Sequence, residues 1–119
     1  MAIVPSVTPP VPCAGMPTRP ILVLRHGQSE WNAVKRWQGA ADIPLNDLGR
    51  RQAIETAERL ATLGLAIAGM WSSDLVRAHE TASIIATRLG VEAVTTDDRL
   101  REAHAGEWQG MTPDEIELR

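Results

Sequence analysis

The chain contains no phenylalanine and no tyrosine, and its four aromatic residues are all tryptophan. A core of stacked rings is therefore excluded, and because much of the apolar content is alanine, helices must pack closely through small side chains. Cysteine occurs once, at Cys13, so neither a disulfide framework nor a thiolate metal site can form within one chain. Charge of one sign never accumulates: 12 Lys and Arg are interspersed with 15 Asp and Glu, for a formal net charge of -3. That pattern excludes a basic nucleic-acid surface and attachment to an anionic membrane, so any anion binding is local. No stretch is long enough to cross a bilayer. Residues 1–18 carry no charge and are broken by Pro5, Pro9, Pro10, Pro12 and Pro17. They lack the basic start and uninterrupted apolar segment of a secretory signal and read as a flexible leader, with Met16 as an alternative start. The expected location is cytoplasmic. Residues 19–119 suffice for one domain and are too few for two.

What is present is concentrated chemistry. The apolar run Ile21-Leu22-Val23-Leu24 reads as a short strand of the kind buried on both faces of a parallel sheet. It leads directly into Arg25-His26-Gly27-Gln28-Ser29-Glu30-Trp31-Asn32. A neutral imidazole is a nucleophile at neutral pH, the Gly after it lets backbone approach a ligand closely, and the Arg before it offers paired donors to a phosphate. Phosphoryl transfer through His26 is the chemistry these residue types suggest.

Organisation along the chain places that histidine in an α/β fold. Residues 27–45 read as a long irregular loop. Asn46 caps a helix reaching about Leu63, with Ala53, Ala57 and Leu60 on its inner face and Gly64 as its stop. Ile67 to Trp71 gives a second strand. Ser72 or Ser73 caps a helix carrying Ala78, Ala82, Ile85 and Leu89 before Gly90, and Glu92 to Thr95 gives a third strand. Alternating strands and helices predict a layered α/β sandwich with a mainly parallel sheet flanked by helices, whose ligands gather at the carboxyl ends of the strands. Thr112-Pro113-Asp114-Glu115 opens a further helix with a capping box, and its early end suggests a truncated domain. His79-Glu80 begins like a zincin helix, but Ser83 stands at the second histidine position, so that motif fails.

The segments "RHGQSEWN", "RWQGAADIPLNDLGRRQA", "SSDLVRAHETA" and "LREAHAGEWQG" resemble, in order and spacing from Ile21 to Met111, the first half of the histidine phosphatase superfamily, which includes the cofactor-dependent phosphoglycerate mutases. The resemblance implies a phosphoglycerate mutase-like fold and chemistry without a metal or cofactor. It marks His26 as the phosphate acceptor, Arg25 and Arg77 as the phosphate clamp, and Glu102 as the general acid, with Glu107 as the competing carboxyl. A solvated Glu102 paired with Arg99 or Arg101 is the plain alternative. Gly27, Gln28, Ser29, Asn32, Gln38, Gly39 and His104 are the expected substrate contacts, and Trp31, Trp37 and Trp108 are candidates for the pocket mouth. Members of the superfamily continue to a strand carrying a second active-site His, which this sequence does not reach.

The expected activity is a metal-independent phosphomonoester hydrolysis of a small phosphorylated metabolite, such as a sugar phosphate or phosphoglycerate derivative. Mutases of the superfamily carry Glu-Arg-His-Tyr where this chain has Glu102-Ala103-His104-Ala105, which weakens the mutase alternative. A third reading is an inactive or binding-only fragment, with an exposed sheet edge that favours homo-oligomers.

Overall fold

The computed structural model describes residues 2–5 and 20–118. Four strands form one sheet: β1 (Ala2–Pro5), β2 (Ile21–Leu24), β3 (Met70–Ser72) and β4 (Val94–Thr96), in the order β2-β1-β3-β4. Strands β3 and β4 pair in parallel, while β1 runs antiparallel to both β2 and β3. Three strands thus share one direction, and the fold is α/β. The leader expected to be flexible contributes a central strand instead, with Ile3 in register with Val23 on one side and Trp71 on the other. The physical reason is that β2 and β3 each present an edge of unpaired backbone groups, and a segment joined to β2 can satisfy both. Pro5 falls at the end of this strand, where a missing N–H is tolerated. Residues 6–19, including Cys13 and Met16, lie outside the described residues.

Helix α3 (Val76–Leu89) packs on β1, β3 and β4, and helix α2 (Asp47–Thr62) packs against α3. Asn46 caps α2 by accepting the Gly49 N–H at 2.8 Å, and Gly90 ends α3 in the left-handed conformation with φ 71°. Between the helices and the sheet lies a core of Ala57, Leu60, Met70, Ala82, Ile85 and Ala86, joined by Leu22, Leu24 and Val94. Ile85 is wholly buried, so Ile85→Ala removes about 2–5 kcal/mol of stability. The opposite face behaves differently from expectation. Ile21 and Val23 of β2 are 65% and 53% exposed, because no element among the described residues covers them.

Two further differences bear on the site. The 27–45 stretch contains a short helix, α1 (Glu30–Ala33), closed by reciprocal bonds between Ser29 and Asn32. Helix α3 is capped by neither Ser72 nor Ser73. Its Val76 N–H donates to Asp42 Oδ1 at 2.7 Å, from the loop before α2, while Ser73 Oγ accepts the Leu75 N–H at 3.1 Å. The chain closes with α4 (Pro113–Glu117), whose capping box of Thr112 and Glu115 forms as expected. No helix among the described residues is long and apolar enough to cross a membrane.

Candidate active site

The carboxyl ends of β2, β3 and β4 open onto common cavities, and His26 sits where β2 ends. Its Nδ1 lies 2.6 Å from the Gly27 carbonyl oxygen, which can only accept, so the ring proton is on Nδ1. Nε2 then carries the unprotonated lone pair and is the ring atom able to act as a nucleophile. Burial lowers the His26 pKa from its ordinary value of 6.5, and the Arg77 charge adds to that; the Gly27 hydrogen bond pulls the other way without prevailing. The ring is held neutral, as a nucleophile requires.

Arg77 is buried to 1% exposure in the first turn of α3. Its Nε donates to His26 Nε2 at 3.2 Å, Nη2 to the Gly39 carbonyl at 2.7 Å and Nη1 to the Ala41 carbonyl at 2.5 Å. A buried charge is costly unless its donors are satisfied, and the 39–41 loop supplies the acceptors. Burial nevertheless pushes its pKa down, opposed by the charges of Glu102 and Asp42. The guanidinium stays cationic and keeps two of its five N–H groups for other partners.

The loops around these two residues are packed backbone on backbone. A Cβ on Gly27 would collide with the Gly49 carbonyl, and a Cβ on Gly49 with the Gln28 backbone, so only glycine fits on either side. The Gly27 N–H donates to Thr81 Oγ1 at 3.1 Å, and Thr81 donates in turn to the Arg77 carbonyl at 2.7 Å. Thr81 therefore ties the loop after β2 to the helix that carries the arginine. Neither Thr81 nor Gly49 was among the expected site residues. Thr81 lies four residues after Arg77 and hence on the same helical face, a signal the sequence does contain.

Glu102 enters from the loop after β4, with Oε2 3.9 Å from Arg77 Nη2 and a side chain 61% exposed. It lines two cavities with Arg25, one also bounded by His26 and Arg77, the other by Asn32, Gln38 and Gly39. Its competitor Glu107 lines neither. Arg101, the proposed partner of Glu102, pairs with Asp74 at 2.5 Å instead. Arg25 is exposed and lines three cavities, two of them with His26 and the third with Gly39.

The remaining expected residues divide. Asn32 and the buried Gln38 line the cavity, and Gln28 lines the neighbouring one beside His26. Ser29 is fully buried and supports them from behind, its hydroxyl donating to Gln38 Oε1 at 2.6 Å. His104 is exposed, accepts the Gly106 N–H at 2.9 Å and lines none of the three cavities that Arg25 lines. Trp37 lines the cavity with Glu102, and Trp108 meets it edge to face at 6.2 Å, while Trp31 packs beneath Gly110. Among the described residues no three His, Cys, Asp or Glu side chains gather as a metal site.

Residues 21–119 match the family model described as the histidine phosphatase superfamily (branch 1). Phosphoglycerate mutase-like protein 4 of Arabidopsis thaliana is 50% identical over 91 residues, covering 76% of this chain and 39% of that protein. The glucosyl-3-phosphoglycerate phosphatase of Mycolicibacterium vanbaalenii is 48% identical over 102 residues, covering 86% of this chain and 44% of its own length. Among solved structures, a mycobacterial glucosyl-3-phosphoglycerate phosphatase in complex with VO3 superposes with a TM-score of 0.72 at 43% identity, over 78% of this chain and 45% of that one. The chain spans less than half the length of the curated relatives it matches.

Proposed function

This chain belongs to branch 1 of the histidine phosphatase superfamily, and from that premise we propose that it supplies the nucleophile, clamp and acid of a metal-independent phosphomonoesterase acting on a small phosphorylated metabolite. One observation carries the reading: a neutral His26 whose proton is fixed on Nδ1 by Gly27, with the unprotonated Nε2 accepting from Arg77 Nε at 3.2 Å, a donor that a phosphoryl oxygen can take over when substrate binds. In the first step Nε2 attacks phosphorus, the ester P–O bond breaks, and Glu102 gives its proton to the departing alkoxide. Arg77 and Arg25 take up the phosphoryl oxygens, exchanging contacts rather than moving far. The phosphorylated ring carries positive charge, which the Gly27 carbonyl stabilises through Nδ1–H. Water then attacks phosphorus, Glu102 takes its proton, the P–N bond breaks, and inorganic phosphate leaves.

Transfer to water rather than back to an acceptor is supported by the loop beside Glu102. Ala103 and Ala105 offer only methyl groups, so nothing from these positions holds a phosphorylated product for a second transfer. The test is to incubate the purified protein with an aryl phosphate in the presence of a chelator and to quench in alkali. Phosphate on His26, stable to base and labile to acid, is the expected mass-spectrometric finding. Strong inhibition by the chelator, reversed by a divalent ion, overturns the mechanism. Isomerisation of phosphoglycerates faster than phosphate release moves the activity to the mutase class.

A further inference from the structure

The phosphoryl chemistry uses Arg25, His26, Arg77 and Glu102, but the cavity beyond Glu102 contains a positive charge for which that chemistry has no role. A space of about 240 Å³ runs from Arg25 and Glu102 to Lys35, Arg36 and Trp37. Glu102 delivers its proton to the leaving oxygen, so the alcohol portion of a substrate lies on this side. Arg36 is already occupied, donating to Glu115 at 3.1 Å and to the Gly110 carbonyl. Lys35 has no carboxylate partner among the described residues. It also stands in the left-handed region with φ 55°, which no other described non-glycine residue does. A lysine is an unfavourable choice for that backbone, and asparagine or glycine would relieve it. The strained turn sets Lys35, which has no ion pair among the described residues, in the lining of this cavity. Beside it Trp37, 49% exposed, offers an indole to a carbon skeleton.

We infer that Lys35 forms a subsite for a second anionic group, carboxylate or phosphate, on the alcohol portion of the substrate, with Trp37 against the carbon chain between the two anions. The inference rests on the phosphatase reading for the placement of the leaving group. It separates substrates that a clamp for one phosphoryl group cannot tell apart. A matched pair tests it: 3-phosphoglycerate and glycerol 3-phosphate differ only by a carboxylate in place of a hydroxymethyl group. Fructose 1,6-bisphosphate against fructose 6-phosphate asks the same question of a second phosphate.

Binding is read by calorimetry on the His26→Ala protein, where no turnover intervenes, and hydrolysis is read on the parent protein. The expected preference for the doubly anionic member of a pair is about tenfold, the scale of one hydrogen bond to a charged group. Lys35→Asn, whose side chain tolerates the turn, should collapse that ratio to within about twofold, and Lys35→Arg should keep it. Preference in the carboxylate pair alone, or in the phosphate pair alone, identifies which anion the subsite takes. Equal affinities within both pairs, or a ratio that Lys35→Asn leaves intact, overturn the subsite. Preference in binding without hydrolysis of any ester overturns the phosphatase reading and leaves the subsite standing, whereas hydrolysis without preference does the reverse.

Discussion

The two walls of the cleft are built by opposite means. On one side, β2 and α3 hold His26, Arg77 and Thr81 through buried hydrogen bonds, with Arg77 and Thr81 at 1% and 2% exposure. On the other side, the loop after β4 holds Glu102 at 61% exposure, and its neighbours are secured by surface ion pairs, Arg99 with Asp97 and Arg101 with Asp74. Buried, fully satisfied hydrogen bonds fix geometry, whereas exposed ion pairs fix little. The difference assigns the work. His26 and Arg77, which meet the phosphoryl group in the proposed mechanism, sit on the rigid wall. Glu102, which meets the variable leaving alcohol in that mechanism, sits on the adjustable one.

The largest effect should come from the rigid wall. In the proposed mechanism His26→Ala removes the group that bonds to phosphorus, and turnover of every substrate should fall by about 10⁴-fold or more in a steady-state assay. Residual phosphohistidine elsewhere in that variant would break the assignment. On the adjustable wall, Glu102→Gln should cost about 10³-fold with an alkyl phosphate, whose alkoxide needs a proton to leave, and much less with an aryl phosphate, which does not. The contrast between the two leaving groups is the informative quantity. Equal losses for both would place Glu102 in phosphate binding rather than in proton delivery.

Arg77 sharpens the comparison from the other direction. Arg77→Lys keeps the charge but cannot reach His26 Nε2 and the Gly39 and Ala41 carbonyls together, because an ammonium is a point donor and the guanidinium is a planar fork. Loss of one oriented donor at a developing charge typically costs about 100-fold in kcat, and the loss should be the same for aryl and alkyl phosphates. The variant should also unfold at lower temperature, since buried carbonyls lose their partners. A substrate-dependent loss would mean that the clamp reaches into the leaving-group side after all.

These walls were unequally legible in the sequence. The strand at Ile21, the Asn46 cap, the Gly90 stop and the Thr112 capping box are all local devices, and each stands where its residues place it. His26, Arg77 and Glu102 came from motif order and do meet around shared cavities. What failed was non-local. Asp42 caps a helix 34 residues away, and β1 joins the sheet from a proline-broken leader. Long-range hydrogen bonds depend on which edges and donors remain open after folding, and spacing along the chain does not encode that. Thr81 is the intermediate case, because its helical offset from Arg77 was readable and its bond to Gly27 was not.

Thr81 gives the smallest and most discriminating prediction. Thr81→Val keeps shape and removes both the acceptor for the Gly27 N–H and the donor to the Arg77 carbonyl. A buried N–H left unsatisfied costs about 1–3 kcal/mol of stability. If that were all, catalysis would be untouched. Gly27, however, also presents the carbonyl that fixes the His26 proton on Nδ1, and that bond raises the His26 pKa against the lowering effect of burial. Loosening Gly27 should therefore lower the pKa further and reduce kcat about tenfold, since about 1.4 kcal/mol of lost positioning suffices. The sign for stability follows from linkage. His26 folds with a pKa below its ordinary 6.5, so its contribution is fully present above that value and is lost as pH falls through the folded pKa. In Thr81→Val that loss should begin at the same pH and extend to lower pH. Titrating the His26 ring by NMR in both proteins reads the shift directly, and Thr81→Ser should restore it. A variant that is merely less stable, with an unchanged His26 titration and an unchanged kcat, would reduce Thr81 to a packing residue and leave the rigid wall to Arg77 alone.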